Sequence, residues 1–210
     1  MSILDEIKEA IIAGNQSKTT ELAQQAVDEG QGLDSIIQDG FIAAMSIVGD
    51  RFKRNEIYVP EMLIAARAMK AGLEVVKPLL VGGEVETLAK VVLGTVKGDL
   101  HDIGKNLVAM LLEGAGAEVI DIGVDVAPEQ FVESVRAHQP QFVGMSALLT
   151  TTMPSMKETI DTLEKAGLRD DVKILVGGAP VTQKYADEIG ADGYGANASE
   201  AVDRIKELSQ

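Results

Sequence analysis

The sequence predicts two structural classes in one chain, α followed by α/β: an N-terminal four-helix bundle over residues 1–83, then a five-stranded parallel α/β domain over residues 88–210. Three observations predict this. Up to about residue 82, apolar residues recur at three- and four-residue spacing, which lines one face of a helix. Beyond that point short β-branched runs alternate with helical stretches, the pattern of a parallel sheet with crossover helices. Between the two lies Val81-Gly82-Gly83-Glu84-Val85-Glu86, which reads as a linker.

The helical half divides at its breakers. Ile3, Leu4, Ile7, Ala10 and Ile11 form the apolar face of a first helix that Gly14-Asn15 ends. Leu22, Ala23, Ala26 and Val27 make a second face, closed by Gly30 and Gly32. A third helix starts near Asp34 and runs through Ile36, Phe41, Ala44, Met45, Val48 and Phe52. Pro60 suits the first turn of a fourth, where its missing N–H has no intrahelical partner to lose. That helix carries Met62, Leu63, Ala66, Met69, Leu73 and Val76, and Pro78 limits it. Four helices with short loops form a bundle.

In the second half the strands are expected at Val91–Val96, Val119–Ile122, Phe142–Ser146, Ile174–Val176 and Asp192–Gly195. The helices are expected near 104–114, 128–138, 153–166, 180–189 and 197–208. The strands lack a clean polar alternation, as strands buried on both faces do. Their order is taken by analogy with five-stranded flavodoxin/Rossmann-like sheets.

Composition narrows the function. The 210 residues carry a net charge of −14, no cysteine, no tryptophan and two histidines. Without cysteine there is no disulfide framework, iron–sulfur cluster, zinc ribbon or cysteine nucleophile, and two histidines cannot build a three-histidine metal site. Neither half is basic: residues 1–83 have a net charge of −4 and the remainder −10. That argues against nucleic-acid binding, which depends on Lys and Arg contacts to phosphate. No segment has the roughly 20 apolar residues of a membrane span, and the N-terminus lacks the basic start and long apolar core of a signal peptide. The expectation is a cytoplasmic protein.

In open α/β sheets ligands bind beyond the carboxyl ends of the strands. The segments there are rich in small and polar residues: Lys97 to Asn106 after strand one, Ser146 to Thr152 after strand three, Gly177-Gly178-Ala179-Pro180 after strand four, and Tyr194 to Asn197 after strand five. The first places a histidine, His101, between Asp99 and Asp102. Taken alone, His101 reads equally well as a solvated loop residue, and Asp102 as an ordinary acid at a helix start. The loop does not match Gly-x-Gly-x-x-Gly. Nor is it a Walker loop: Gly98 and Gly104 are six apart, and Asn106 follows Lys105 where a hydroxyl is required.

The run Gly98-Asp99-Leu100-His101-Asp102-Ile103-Gly104 resembles the Asp-x-His-x-x-Gly signature of cobalamin-binding domains. Ser146-Ala147-Leu148 resembles the family's Ser-x-Leu after the third strand, and Gly177-Gly178 its later Gly-Gly. The helical half resembles the bundle that precedes this domain in methionine synthase and in the corrinoid proteins of three-component methyltransferase systems. The resemblance spans nearly the whole chain.

It implies a corrinoid cofactor, cobalamin or a relative, bound with its lower base displaced from cobalt. His101 is then the cobalt ligand, and neutral imidazole suits that role. Asp99 is its hydrogen-bond partner, with Thr150 or Thr152 completing the relay where the family often has serine. Gly104 lets the displaced tail pass, Ser146 bonds the lower base, and Leu148, Gly177 and Gly178 line its slot. Gly98, Asp102, Ile103, Tyr194 and Gly195 complete the expected cofactor-binding set.

The implied function is methyl carriage, with cobalt cycling between Co(I) and methyl-Co(III). The methyl group comes from a substrate-specific methyltransferase and goes to a second one that uses tetrahydrofolate or a thiol. A reductive activase is a further implied partner. The bundle is expected to cover the methyl face, with Met45, Phe52, Tyr58 and Met62 as candidates, each of which reads first as bundle core. Gly82-Gly83 would let it move. His138 reads as a structural residue at a helix end, and Lys97 and Lys105 as loop-flanking cations, solvated or facing the cofactor. Alternatives are a corrinoid-binding sensor, the small subunit of an adenosylcobalamin mutase, which resembles the sheet domain alone, and a nucleotide-binding module without cobalt.

Overall fold

A computed structural model describes residues 2–79 and 87–209. The linker read at Val81–Glu86 lies outside the described residues. The chain divides into two compact units: Met1–Thr87 together with Gly114–Gly116, and Leu88–Glu113 with Ala117–Gln210.

The first unit is all-helical. Helix α1 (Ile3–Ile12) opens with a capping box: Ser2 accepts the Asp5 N–H, and the Asp5 carboxylate accepts the Ser2 N–H. Helix α2 (Gln16–Asp28) is capped by Asn15, whose side chain accepts the Lys18 N–H at 3.0 Å. It begins six residues before Leu22, because the polar stretch Gln16–Glu21 holds one apolar-face position with a threonine, Thr19, which is fully buried. The expected third helix is continuous but not uniform. Helix α3 (Leu33–Ser35) passes through a π-helical stretch (Ile36–Ile42) into α4 (Ala43–Lys53). Helix α5 (Val59–Val76) has Pro60 in its first turn and gives way to a 3₁₀ turn (Lys77–Leu79) at Pro78. The expected apolar faces meet inside: Ile7, Ile11, Leu22, Ile36, Phe41, Met45 and Met62 are buried. Burying each such side chain contributes about 1.5–3 kcal/mol. Met45 and Met62 are therefore core, Phe52 is half-buried, and Tyr58 is exposed.

The second unit is a parallel sheet in the order β2-β1-β3-β4-β5, the order taken by analogy. Its strands are β1 (Lys90–Thr95), β2 (Glu118–Asp121), β3 (Phe142–Ser146), β4 (Lys173–Gly177) and β5 (Gly193–Gly195). The intervening helices are α6 (Ile103–Gly114), α7 (Pro128–His138), α8 (Pro154–Lys165), α9 (Gln183–Ile189) and α10 (Ala198–Leu208). Helix α9 starts three residues later than expected, where Thr182 caps it by accepting the Tyr185 N–H at 3.2 Å.

Strand order fixes what covers each face. Crossovers between parallel strands are right-handed. The chain moves one way from β1 to β2 and the other way from β2 to β5, so α6 lies on one face and α7, α8 and α9 on the other. The second face is a closed core: Val92, Val143, Ile174 and Val176 pack against Phe131, Val135, Met156, Leu163 and Ile189. Among the described residues of this unit, the first face carries α6 and α10. Leu93, Gly144, Leu175 and Gly177 point to that side, and with the two helices they line an open slot of about 580 Å³.

Candidate functional site: a histidine at the mouth of a sheet-face slot

The order of the sheet reverses beside β1, whose next strand in the chain, β2, lies on one side and β3 on the other. At such a switch point the loops after the two central strands diverge and leave a crevice. Here they are the loop after β1 (residues 96–102) and the loop after β3 (residues 147–153), and they meet around Asp99.

Asp99 is fully buried. Its Oδ1 accepts the His101 backbone N–H at 3.1 Å and lies 2.7 Å from His101 Nδ1. Its Oδ2 accepts the N–H groups of Leu148 at 2.7 Å and Leu149 at 3.2 Å, and the Thr152 hydroxyl at 2.7 Å. Burial pushes this carboxyl up, but the bonds from Thr152, His101 and Leu148 outweigh burial and hold it well below the usual carboxylate range. An ionised carboxylate only accepts hydrogen bonds, so the proton between the two residues sits on Nδ1. In the neutral ring, Nε2 then carries the free lone pair. The His101 side chain is half exposed.

The loop is shaped for this. Gly98 adopts φ +82°, which a side chain would disfavour, and its N–H donates to Asp125 at 2.6 Å. Buried Thr95 donates its hydroxyl to the His101 carbonyl at 3.0 Å. Around the imidazole stand large apolar side chains that water reaches: Ile103 is 84% and Leu100 70% exposed, with Leu148 and Leu149 exposed beside them. Exposed apolar surface of this kind marks a binding face.

Among the expected residues, His101, Asp102, Ile103, Gly104, Ser146, Leu148, Gly177, Gly178 and Gly195 line the slot. Asp99 and Thr152 stand behind His101 and orient it. Three expected residues stand outside the slot. Gly98 builds the loop and does not line the slot. Thr150 is exposed outside it, so the relay hydroxyl is that of Thr152. Tyr194 packs against the closed core on the opposite face, because successive residues of a strand point to opposite sides and Gly195 takes the slot side. Lys105 is buried, not solvated: its ammonium is held by Asp121 and by Asn106 Oδ1. His138 is the exposed last residue of α7.

The sequence reading missed Gly144, Leu93 and Leu175. Their signal is parity. Gly144 is two residues before Ser146 and Leu175 two before Gly177, hence on the same face. A Cβ at Gly144 would stand 2.6 Å from Leu93 Cδ1, so the glycine keeps the slot floor flat.

These residues fit a corrinoid. One nitrogen with a fixed lone pair stands at the mouth, apolar surface surrounds it, and a narrow glycine-floored slot opens beneath. Among the described residues no cluster of three His, Cys, Asp or Glu side chains could hold a metal by itself, and a corrin ring needs one protein ligand at most.

Comparison with known proteins agrees. One B12-binding-domain family model matches residues 89–203 and a second matches residues 3–77. A corrinoid protein of Desulfitobacterium hafniense is 45% identical over 99% of this chain and 98% of its own length. Trimethylamine corrinoid protein 2 of Methanosarcina acetivorans is 46% identical over 95% of this chain and 96% of its own. A chain of the methanol:cobalamin methyltransferase complex MtaBC from Methanosarcina barkeri superposes with a TM-score of 0.91 at 31% identity, covering 99% of this chain and 79% of that one. The cofactor is therefore cobalamin or a related corrinoid, and the chain belongs to the corrinoid proteins of methyltransferase systems.

Proposed function

We propose that this protein is a methyl carrier. It accepts a methyl group from a substrate-specific methyltransferase and delivers it to a second methyltransferase that serves tetrahydrofolate or a thiol. Residues 88–210 hold the corrinoid, and residues 1–83 form a helical cap domain. A reductive activase rescues oxidised cofactor, and the work is cytoplasmic; no described helix is long and apolar enough to cross a membrane.

The observation that carries this reading is the His101–Asp99 pair. His101 would hold the cobalt through Nε2, because Asp99 occupies Nδ1. When bound, the corrinoid would supply a cobalt centre able to take up a methyl group and give it up again. The protein's part is to orient and tune. Ionised Asp99 faces the imidazole and fixes its orientation. Thr152 and the Leu148 and Leu149 N–H groups keep Asp99 ionised throughout. Leu148, Gly177 and Gly178 line the space for the displaced tail.

Specificity for the methyl donor belongs to the partner. Methylamines and methanol, which figure in the names of the relatives, are the first donors to test, with betaines and methoxylated aromatics after them. The reduced holoprotein, mixed with a partner methyltransferase and its donor, should become methylated stoichiometrically. His101→Asn should slow that transfer at least about tenfold, the scale of a lost metal-tuning contact. Equal rates in wild type and variant would contradict the reading.

A further inference from the structure

The pairing of β1 with β2 carries on past both strands, but out of step. Leu93 pairs with Asp121 and Val96 with Val126, so three residues along β1 match five along the β2 side. The surplus is a bulge that Thr95 spans: its N–H donates to the Gly123 carbonyl at 2.9 Å, and its carbonyl accepts the Val126 N–H at 3.0 Å. Bulges re-aim side chains and recur beside functional sites. This one aims Asp125 at the loop that bears Asp99 and His101. Asp125 Oδ1 accepts the Gly98 N–H at 2.6 Å, and the Asp125 N–H donates to the Asp99 carbonyl at 2.9 Å.

Asp125 makes both bonds from a left-handed backbone, φ +52°. That conformation is costly for a residue with a side chain, least so for Asp and Asn. Asp125 is exposed, so packing does not account for it; the two bonds do. They leave Asp99 held at two ends. Its carboxylate is tied to the loop after β3 by Leu148, Leu149 and Thr152. Its main chain is tied to the loop after β2 by Asp125, and its own N–H donates to the Val96 carbonyl at 3.1 Å. A carboxylate fixed at its oxygens alone can pivot about them. One fixed at both ends presents Oδ1 to His101 Nδ1 in a single direction.

We propose that Asp125 is a positioning residue for His101: acting through the Gly98–Asp99 backbone, it fixes the carboxylate that sets the tautomer and the aim of the imidazole. The positioning is a property of the apoprotein. Its consequence for cofactor binding rests on the reading of His101 as the residue that meets cobalt through Nε2. Partners one step removed from a metal ligand orient it and set its affinity, and Asp125 extends that support one step further, from a third loop.

The test compares wild type, Asp125→Gly and Asp125→Asn. Histidine ring nitrogens are read by nitrogen-15 NMR on the apoprotein at about pH 9, where imidazole is neutral. Wild type should show His101 as the Nδ1–H tautomer, with exposed His138 as the reference for an unconstrained ring. Asp125→Gly keeps the left-handed backbone without strain but loses the acceptor. Its His101 signals should move toward those of His138, and exchange of the Gly98 amide should quicken about tenfold. Asp125→Asn keeps an acceptor and tolerates the same backbone, so both readouts should stay near wild type. Methylcobalamin, titrated by its spectrum, should bind Asp125→Gly about threefold to tenfold more weakly than wild type. His101 signals that do not move in Asp125→Gly overturn the proposal, whatever the unfolding midpoint does, and leave the carrier reading standing. Equal displacement in the Gly and Asn variants overturns it too. A ring that moves in Asp125→Gly while methylcobalamin binds with the same affinity and spectrum upholds the positioning and overturns His101 as the ligand.

Discussion

A buried carboxylate without compensation is costly, and Asp99 stays ionised in the interior because five donors converge on it. Its folded pKa lies below its unfolded value of about 3.9. The stability it contributes is therefore complete above that value and is lost as pH falls through the lower, folded one. Denaturant unfolding of the apoprotein from about pH 6 to about pH 2 should show wild type losing stability in acid and Asp99→Asn losing less over the same range. Asp99→Ala, which strands the Leu148, Leu149 and Thr152 donors, should cost at least about 3 kcal/mol. At the other end of the relay, Thr152→Val should cost about 1.5–3 kcal/mol, the worth of a hydrogen bond to a charged group. Thr152→Ser should recover most of it. Equal unfolding midpoints for the two Thr152 variants would contradict the relay.

Two glycines show how loops and helices share the work. A Cβ at Gly178, where φ is +127°, would stand 1.9 Å from the Ala147 carbonyl oxygen, so the loops after β3 and β4 touch there through backbone. Gly104 is the reverse case. A Cβ there meets nothing within 4 Å, and the residue lies in the first turn of α6 beside the slot. Gly104→Ala should therefore stabilise the apoprotein by up to about 1 kcal/mol through helix propensity while weakening corrinoid binding. A calorimetric scan and a spectral titration on one preparation separate the two effects, and a variant that gains stability without losing affinity would remove Gly104 from the site. Elements of this kind were largely legible beforehand. Strands β1 to β4 show as apolar runs between helical periods, β5 hardly at all, and the loops at their carboxyl ends are where small residues gather. Side-chain direction was not legible wherever the period was too short to read. Strand β5 has three residues, and Tyr194 falls on the closed face. Gly144, inside β3, floors the slot from a position that a search of post-strand loops passes over. The π-helical stretch at Ile36–Ile42 left no mark on a three-to-four-residue apolar period. The burial of Lys105, on α6, depends on Asp121, sixteen residues away on β2.

At the scale of the whole molecule, the sheet order decides where chemistry is possible. Three helices close one face, and two leave the other open over Gly144 and Gly177. A chain with two histidines and no cysteine can support metal chemistry because a corrin ring brings its own nitrogens to cobalt and the protein need contribute one. Cofactor binding to the folded state alone should raise the unfolding free energy by about 2.7 kcal/mol at a hundredfold excess over Kd, measured with and without cobalamin. The central claim is that the one nitrogen is Nε2 of His101. The most direct measurement is the absorption spectrum of protein reconstituted with methylcobalamin, wild type against His101→Ala. A histidine ligand predicts a band position in wild type that differs from that of the free cofactor in its base-off form and is lost in the variant. Identical spectra for the two bound proteins would contradict it.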